Sequence, residues 1–436
     1  MAATARAAAM TDLAPADPDT PLPAPRVRTV AVATPAALSP ADGLPGAPPA
    51  RRPTATETTL APRLRPLLRP AKYYLGSRLV VWAAALVAGL MFPTLNPVRS
   101  LGSIWDGRWY LSIAQYGYPH RMYQEGLGSR WGFFPAFPAA IRIVAEVTRL
   151  SLPDAAVLAA FVFGLTATVA IWLAVREVFG ERLADRATLL FVFFPLSCML
   201  SFAYTEGLFL TAAAGALYAL QRRWWITAAL CACVAGLTRN AGAVVILCVL
   251  VVALPASWRE RRLRPAAAAA LAPLGLASFM AYSWAMVGTP LAFLTSERFW
   301  QGQHFVWFMT PVNALLALVT DSAHGLHLVQ AAWCTAAVVS VYFGVVCLLA
   351  LSRARRVPAA WWLYTLGTVA IAFSAYYTQS IPRYTLVAFP LFVAVGWKLR
   401  AASRAALTVA FGCLQGVVTV VFLIGVVHPM SPPFVP

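Results

Sequence analysis

Apolar residues run along this chain in unbroken stretches of about 20, and polar residues gather in short clusters between them. The stretches lie near 75–94, 155–175, 186–203, 205–220, 224–238, 241–257, 266–287, 327–351, 359–377, 383–398 and 405–427. A helix satisfies its own backbone groups in lipid, so the pattern predicts an all-α integral membrane protein, a polytopic helical bundle of about eleven spans. A β-barrel is disfavoured, because these runs are continuous and do not alternate at every second residue. One further apolar stretch, "FFPAFPAAIRIVAEVTRL" at 133–150, has a different character. Arg142, Glu146 and Arg149 recur there on one helical face, which predicts an amphipathic helix lying on the membrane surface or re-entering it.

The pattern also divides the chain. Residues 1–70 are rich in Ala, Pro, Thr and Arg and hold 14 of the 33 prolines. They have too few large apolar residues to build a core, so a disordered tail is expected there, followed by a transmembrane domain over 71–436 with a first loop at 95–154. The tail has no short apolar segment followed by a cleavage site, so the first span is expected to act as an uncleaved anchor.

Composition sharpens the class. The chain is 60% hydrophobic and 11% charged, against about 25% charged in soluble domains. The seven cysteines, at 198, 231, 233, 248, 334, 347 and 413, all fall in apolar runs. They read as small core residues, with no disulfide framework and no metal site. The formal net charge of +18 raises the possibility of nucleic acid, but the positions of the basic residues exclude it. If the tail is cytoplasmic, the loops at 176–186, 221–223, 259–264, 353–356 and 398–404 are too, and they hold 15 Lys and Arg. The tail through Arg78 holds ten more, leaving nine of 34 for the much longer loops of the opposite face. That asymmetry predicts N-terminus in, C-terminus out. All five histidines then lie outside, as do seven acids that include Asp106 and Glu206.

The outer face carries the candidate chemistry. Arg239 in "GLTRNAG" and Arg383 in "QSIPRYTL" sit in charge-poor turns at span ends, against the positive-inside pattern, and an anion bound outside would explain both. A plainer reading has them snorkel to headgroups, or pair with Glu206 of "FAYTEGLF" and tie spans together. Glu206 also suits a helix start. Asp106 lies in "SIWDGRWYLSIAQYGYP", 103–119, where Ser103 and Asp106 resemble a capping box opening a helix over 104–116. Trp105, Trp109 and Ile113 are spaced by four and form an apolar stripe suited to the membrane interface, with Asp106 and Tyr110 off that stripe. A carboxylate partly withdrawn from water beside aromatic walls can serve as a general base. Trp105 and Tyr110 are candidates for stacking on a substrate, whereas Trp224, Trp225, Trp361 and Trp362 read as an aromatic belt.

Taken together, "WDGRWYLSIAQYGYP", "FFPAFPAAIR", "YTEGLFL", "AGLTRNAG" and "PRYTLVAFPLFVA", in that order, resemble the PIG-V-like mannosyltransferases, a branch of the GT-C glycosyltransferases. The resemblance covers most of residues 75–400 and leaves the tail without a counterpart. It implies a GT-C-like fold, a polyprenyl-phosphate mannose donor and transfer to an acceptor hydroxyl on the extracytoplasmic face, with inversion. It implies that Asp106 is the catalytic acid of the first outer loop, and that Arg239 and Arg383 lie near the donor phosphate. Trp105, Arg108, Tyr110, Glu206 and Tyr384 would line the substrate site. Many GT-C enzymes carry two adjacent acids in that loop; here Asp106 stands beside Gly107, so no metal or other cofactor is expected. The acceptor is left open between glycan, glycolipid and protein, and another sugar such as arabinose also stays open. The composition points to a GC-rich bacterial genome, and so to a bacterial plasma membrane. The competing class is a multi-span transporter or flippase, which would place charges near the bilayer midplane and often repeat its halves; no internal repeat is visible and the charges sit at span ends.

Overall fold

The computed structural model describes residues 65–125, 128–299, 307–320, 325–374 and 380–427. The tail 1–64 lies outside them, as do His304, His324 and His428. The last residues assigned to the tail are helical, because a 3-10 turn at Arg65–Leu67 leads straight into α1 (Leu68–Met91). Two short helices follow, α2 (Pro97–Ser103) and α3 (Gly107–Tyr116). A loop leads to α4 (Ala136–Thr148), α5 (Leu152–Phe179) and α6 (Glu181–Phe193). After an irregular segment come α7 (Glu206–Gln221), α8 (Trp225–Gly236) and α9 (Gly242–Glu260). Helices α10 (Leu263–Leu271) and α11 (Leu274–Val287) form one apolar run interrupted at Ala272–Pro273. Then come α12 (Ala292–Thr295), α13 (Thr310–Thr320) and α14 (Gly325–Ala354). The chain closes with α15 (Ala359–Phe373), α16 (Ile381–Val387), α17 (Pro390–Lys398) and α18 (Ala401–Val427). Among the described residues the only extended pairing is a single bridge between Glu125 and Gly128.

The protein is therefore an all-α, multi-pass membrane protein. Among the described residues, six segments are long and apolar enough to cross a bilayer: α1, α5, α9, α10–α11, most of α14 and most of α18. The other five predicted spans coincide with helices that are shorter: α6, α7, α8, α15 and the pair α16–α17. At 1.5 Å per residue α8 reaches only about 18 Å, well short of a ~30 Å hydrocarbon core. The predicted amphipathic helix is α4, which buries Phe137, Pro138 and Ile141 and exposes Arg142 and Glu146 as an i,i+4 pair.

The stretch 186–203, read from sequence as one span, is not continuous. Helix α6 ends at Phe193 because Pro195 lacks a backbone N–H and forces Phe194 out of the helical region, to φ −50°, ψ 137°. A buried 3-10 turn over Pro195–Leu200 follows. Backbone carbonyls left free in such a place need donors. Arg78, fully buried on α1, supplies them: its Nη1 donates to the Ser197 carbonyl at 2.7 Å and to Ser201 Oγ at 3.0 Å, and its Nη2 to the Val192 carbonyl at 3.4 Å. From α18, Gln415 Nε2 donates to the carbonyls of Val192 and Phe194 at 3.0 and 3.1 Å. The aromatic belt also needs correction. Trp361 is wholly buried, edge-on to Phe179 and against Phe389, and Trp225 is buried as well, while Trp224 is half exposed. The cysteines are all free, and Cys413, unlike the rest, is exposed.

Connectivity sorts the turns onto two ends of the bundle. The start of α5 abuts α2, where a side chain on Gly102 would collide with the Pro153 carbonyl at 2.2 Å. Its far end, about 42 Å away at 1.5 Å per residue, is the turn at Gly180. The chain then returns to Glu206, and the hairpin α7–α8 comes back to Arg239 beside Glu206. Arg383 arrives at the same end, as does the last part of α18, whose Phe422 carbonyl accepts from Trp105 Nε1 at 3.4 Å.

Replacing Arg78 by Met removes donors that nothing else can supply to the Ser197 carbonyl. Thermal unfolding in detergent is expected to show a loss of about 2–4 kcal/mol, with Arg78→Lys intermediate. Unchanged unfolding of the Met variant would contradict this account.

Candidate active site

Helix α2 ends at Ser103, and α3 does not begin until Gly107. The helix predicted over 104–116 thus starts at Gly107, and Trp105 lies in the break between α2 and α3: its φ of +52° is in the left-handed region that non-glycine residues avoid. No capping box forms. Ser103 Oγ donates backwards to the Arg99 carbonyl at 2.7 Å, and Asp106, although at the N-cap position, accepts no cap bond. The turn is fixed by close packing at Gly107, where a Cβ would lie 3.1 Å from the Gly102 carbonyl, and by the Trp105 indole reaching α18. The Asp106 carboxylate is thereby left free to point elsewhere.

It meets Arg383. Asp106 Oδ2 accepts from Arg383 Nη1 at 2.7 Å, although the two residues are 277 positions apart. Arg383 Nε then lies 3.5 Å from Glu206 Oε1, an ionic contact without hydrogen-bond geometry. The same Glu206 oxygen accepts from Arg239 Nη1 at 3.1 Å. The result is a chain of alternating charge, Asp106–Arg383–Glu206–Arg239, formally neutral, drawn from four separate segments. Exposure is lowest at Glu206: the Asp106 side chain is 28% exposed, Arg383 10%, Glu206 1% and Arg239 13%. Glu206 Oε2 is buried with no hydrogen-bond partner.

Aromatic rings close over the cations. The Arg383 guanidinium lies 5.1 Å from the Tyr204 ring centroid and 5.4 Å from that of Tyr384, and Arg239 lies 5.4 Å from the other face or edge of Tyr384 and 5.6 Å from Phe209. Tyr384 therefore serves both cations. Tyr204 was not singled out from sequence, yet its hydroxyl accepts from the Asp106 backbone N–H at 3.4 Å while its ring backs Arg383. The one available signal was an aromatic two positions before the acid in "FAYTEGLF".

The other predicted site residues are placed differently. Tyr110 is buried, edge-on to Phe133 and Phe137, with its hydroxyl bonded to Thr205. Burial, reinforced by the charges of Asp106 and Glu206, pushes its phenol up. It forms a wall behind the two acids and offers no open face. Trp109 is buried rather than interfacial, stacked on Phe133, so the stripe predicted for the membrane interface faces the protein. Arg108 is exposed over the Trp109 ring and is not part of the charge chain. Among the described residues no group of three potential metal-ligating side chains gathers.

The family model described as dolichyl-phosphate-mannose-protein mannosyltransferase matches residues 134–284, a stretch that includes Glu206 and Arg239 but stops short of Asp106 and Arg383 on either side. The matched stretch is about a third of the chain, so the match is a likeness to that family, and it does not single out the PIG-V-like branch. No curated protein matches the chain. Among solved structures it is similar to ArnT from Cupriavidus metallidurans bound to undecaprenyl phosphate, at 15% identity over 81% of this chain and 71% of that one, with a TM-score of 0.45. It is also similar to the Archaeoglobus fulgidus oligosaccharyltransferase complex with Zn and sulfate, at 14% identity over 79% of this chain and 53% of that one, with a TM-score of 0.42. The chain thus spans about half the length of that oligosaccharyltransferase.

Removing the Glu206 charge strands the Arg239 guanidinium and leaves Arg383 with Asp106 alone. Glu206→Gln is expected to destabilise the protein by about 3–5 kcal/mol in detergent unfolding. Adding Arg239→Leu should restore more than about 1 kcal/mol of that loss, since only neighbours in contact depart from additivity so far. Strict additivity of the two changes would refute the coupling.

Proposed function

We propose that this chain is a membrane glycosyltransferase that moves a sugar, mannose on the sequence resemblance, from a polyprenyl-phosphate donor to the hydroxyl of a glycan, glycolipid or protein acceptor. The observation that carries the proposal is the 2.7 Å pair between Asp106 and Arg383, held at the open end of an otherwise buried charge chain. The family-model match supports a polyprenyl-phosphate donor through the description of that family. The concentration of basic residues at the opposite turns supports an extracytoplasmic site with the N-terminus in the cytoplasm.

Each residue then has a task. The anomeric carbon loses its bond to the lipid phosphate as the acceptor oxygen attacks from the other side, so the configuration inverts. Asp106 takes the acceptor hydroxyl proton. Arg383 donates to the departing phosphate, whose charge grows as the bond breaks, and a guanidinium suits that planar, bidentate demand. Arg239, already paired with Glu206, adds a second positive charge on the other side of Glu206 from Arg383 in the charge chain. A phosphate monoester leaving group needs less neutralisation than a nucleotide diphosphate, so two arginines suffice without a metal.

The closed pair also suggests an order of events. While Arg383 holds Asp106 Oδ2, that oxygen is occupied by a donor and is not free to meet an acceptor hydroxyl. A donor phosphate offers Arg383 another anion, and its arrival releases Asp106 to accept a proton. Donor binding thereby prepares the base.

In nanodiscs supplied with polyprenyl-phosphate mannose and membrane acceptors, Asp106→Asn is expected to lower transfer by about 10²–10⁴-fold while unfolding stays near that of the parent chain. Transfer at the parent rate would reject the assignment of Asp106. Arg383→Lys should chiefly weaken donor binding, read as a rise in KM for the donor that exceeds any fall in kcat.

A further inference from the structure

At the end of the bundle remote from Asp106, the α5–α6 turn, the loop after α14 and the end of α17 enclose an open cavity of about 560 Å³. Phe179, Leu183 and Trp397 give it apolar walls, and Arg182, Arg186 and Arg355 give it three guanidiniums. Glu181 also lines the cavity, but it and the neighbouring Asp185 are already committed. Glu181 contacts Arg176 at 3.1 Å and Arg69 at 3.5 Å. Asp185 contacts Arg69 at 3.2 Å and accepts from the Trp172 indole at 2.9 Å. Among the described residues no acid pairs with Arg182, Arg186 or Arg355, and Arg404 on α18 adds its like charge within electrostatic reach of Arg186.

A positive-inside bias alone would leave such arginines dispersed in solvent. Here they converge on a hollow that also has an indole and two aliphatic or aromatic walls, and Arg186 is itself half-buried. Like charges brought together beside apolar surface call for an anion that carries its own apolar part. We infer that this cavity binds the phosphate of a membrane amphiphile, with the phosphate on Arg182, Arg186 and Arg355 and the first methylenes against Phe179, Leu183 and Trp397. It is separate from the proposed transfer site, at the other end of α5, and does not depend on that reading.

Short-chain lipids separate the possibilities. The full chain in a neutral detergent would be titrated with dihexanoyl phosphatidylglycerol, dihexanoyl phosphatidylcholine, glycerol phosphate and inorganic phosphate, following the thermal midpoint. Saturable stabilisation by phosphatidylglycerol is expected, with apparent affinity at least about tenfold above that for phosphatidylcholine. The pair Arg186→Gln with Arg355→Gln should reduce that affinity about tenfold or more, Arg186→Lys should retain most of it, and Asp106→Asn should leave it unchanged. Equal response to the zwitterionic lipid, or full response in the double Gln variant, would overturn the inference. Equal stabilisation by inorganic phosphate would overturn the amphiphile and leave a soluble phosphate as the ligand.

Discussion

Glu206 is a charge taken almost completely out of water. An unpaired carboxylate in such surroundings would carry a desolvation penalty of several kcal/mol, and the rest of the site is arranged around removing it. Arg239 and Arg383 approach one oxygen of Glu206, and Arg383 would itself bring an excess charge were Asp106 not there to meet it. Removing any one of the four groups thus leaves the cluster with an excess charge. Because they come from the start of α3, the start of α7, the α8–α9 turn and α16, the electrostatics of one small cluster dictate how four distant parts of the chain must dock.

The docking depends on irregular backbone. The segment between α6 and α7 leaves helical geometry at Phe194 and regains it at Glu206, which puts Tyr204 and Glu206 side by side at one end of the bundle. Such a segment survives inside a membrane protein only where its carbonyls find donors. Arg78 and Gln415, from the first and last long helices, provide them. Two kinds of buried cation therefore divide the labour. Arg78 is spent on neutral carbonyls and holds the scaffold, whereas Arg239 and Arg383 are spent on carboxylates and form the site. A site whose supporting residues are locked in this way is held to its geometry before any ligand arrives.

Much of this was legible in the sequence, and the rest had physical reasons for being hidden. Runs of apolar residues marked every helix later found at those positions, because burial in lipid or protein leaves the same signal. That equivalence is also why the span count was not legible: α8 and α15 are as apolar as true spans, yet short. The convergence of Asp106, Arg239 and Arg383 followed from charges placed at turns where charge is disfavoured. The break at Trp105 did not, since a left-handed tryptophan is imposed by tertiary packing around Gly107 and has no local signature. The spacing of Trp109 and Ile113 is legible as a stripe, but whether such a stripe meets lipid or protein is decided by the packing of Phe133 against it. Trp361 illustrates a different limit: a tryptophan near a span end satisfies the interfacial pattern whether it faces lipid or core.

The gradient of exposure distinguishes the two acids. A general base must meet a substrate hydroxyl, take its proton and later give that proton to water, so it needs a path to solvent. Glu206 has none: one oxygen is shared by two guanidiniums and the other is sealed. Asp106 sits at the mouth, engaged through one oxygen by a single arginine. Its partner is also the residue that a phosphate would most readily recruit, being nearer the surface than Glu206 and tied to it only by a longer contact. On the proposed reading, exchange of the Asp106 carboxylate for a donor phosphate leaves Arg383 paired throughout, so no buried charge is stranded at any stage. The same swap would be less favourable at Arg239, since releasing Glu206 would leave a sealed carboxylate with only the longer contact to Arg383. The architecture thus favours Asp106 and Arg383 as the pair that reacts to ligand, with Glu206 and Arg239 as the fixed charges against which they move.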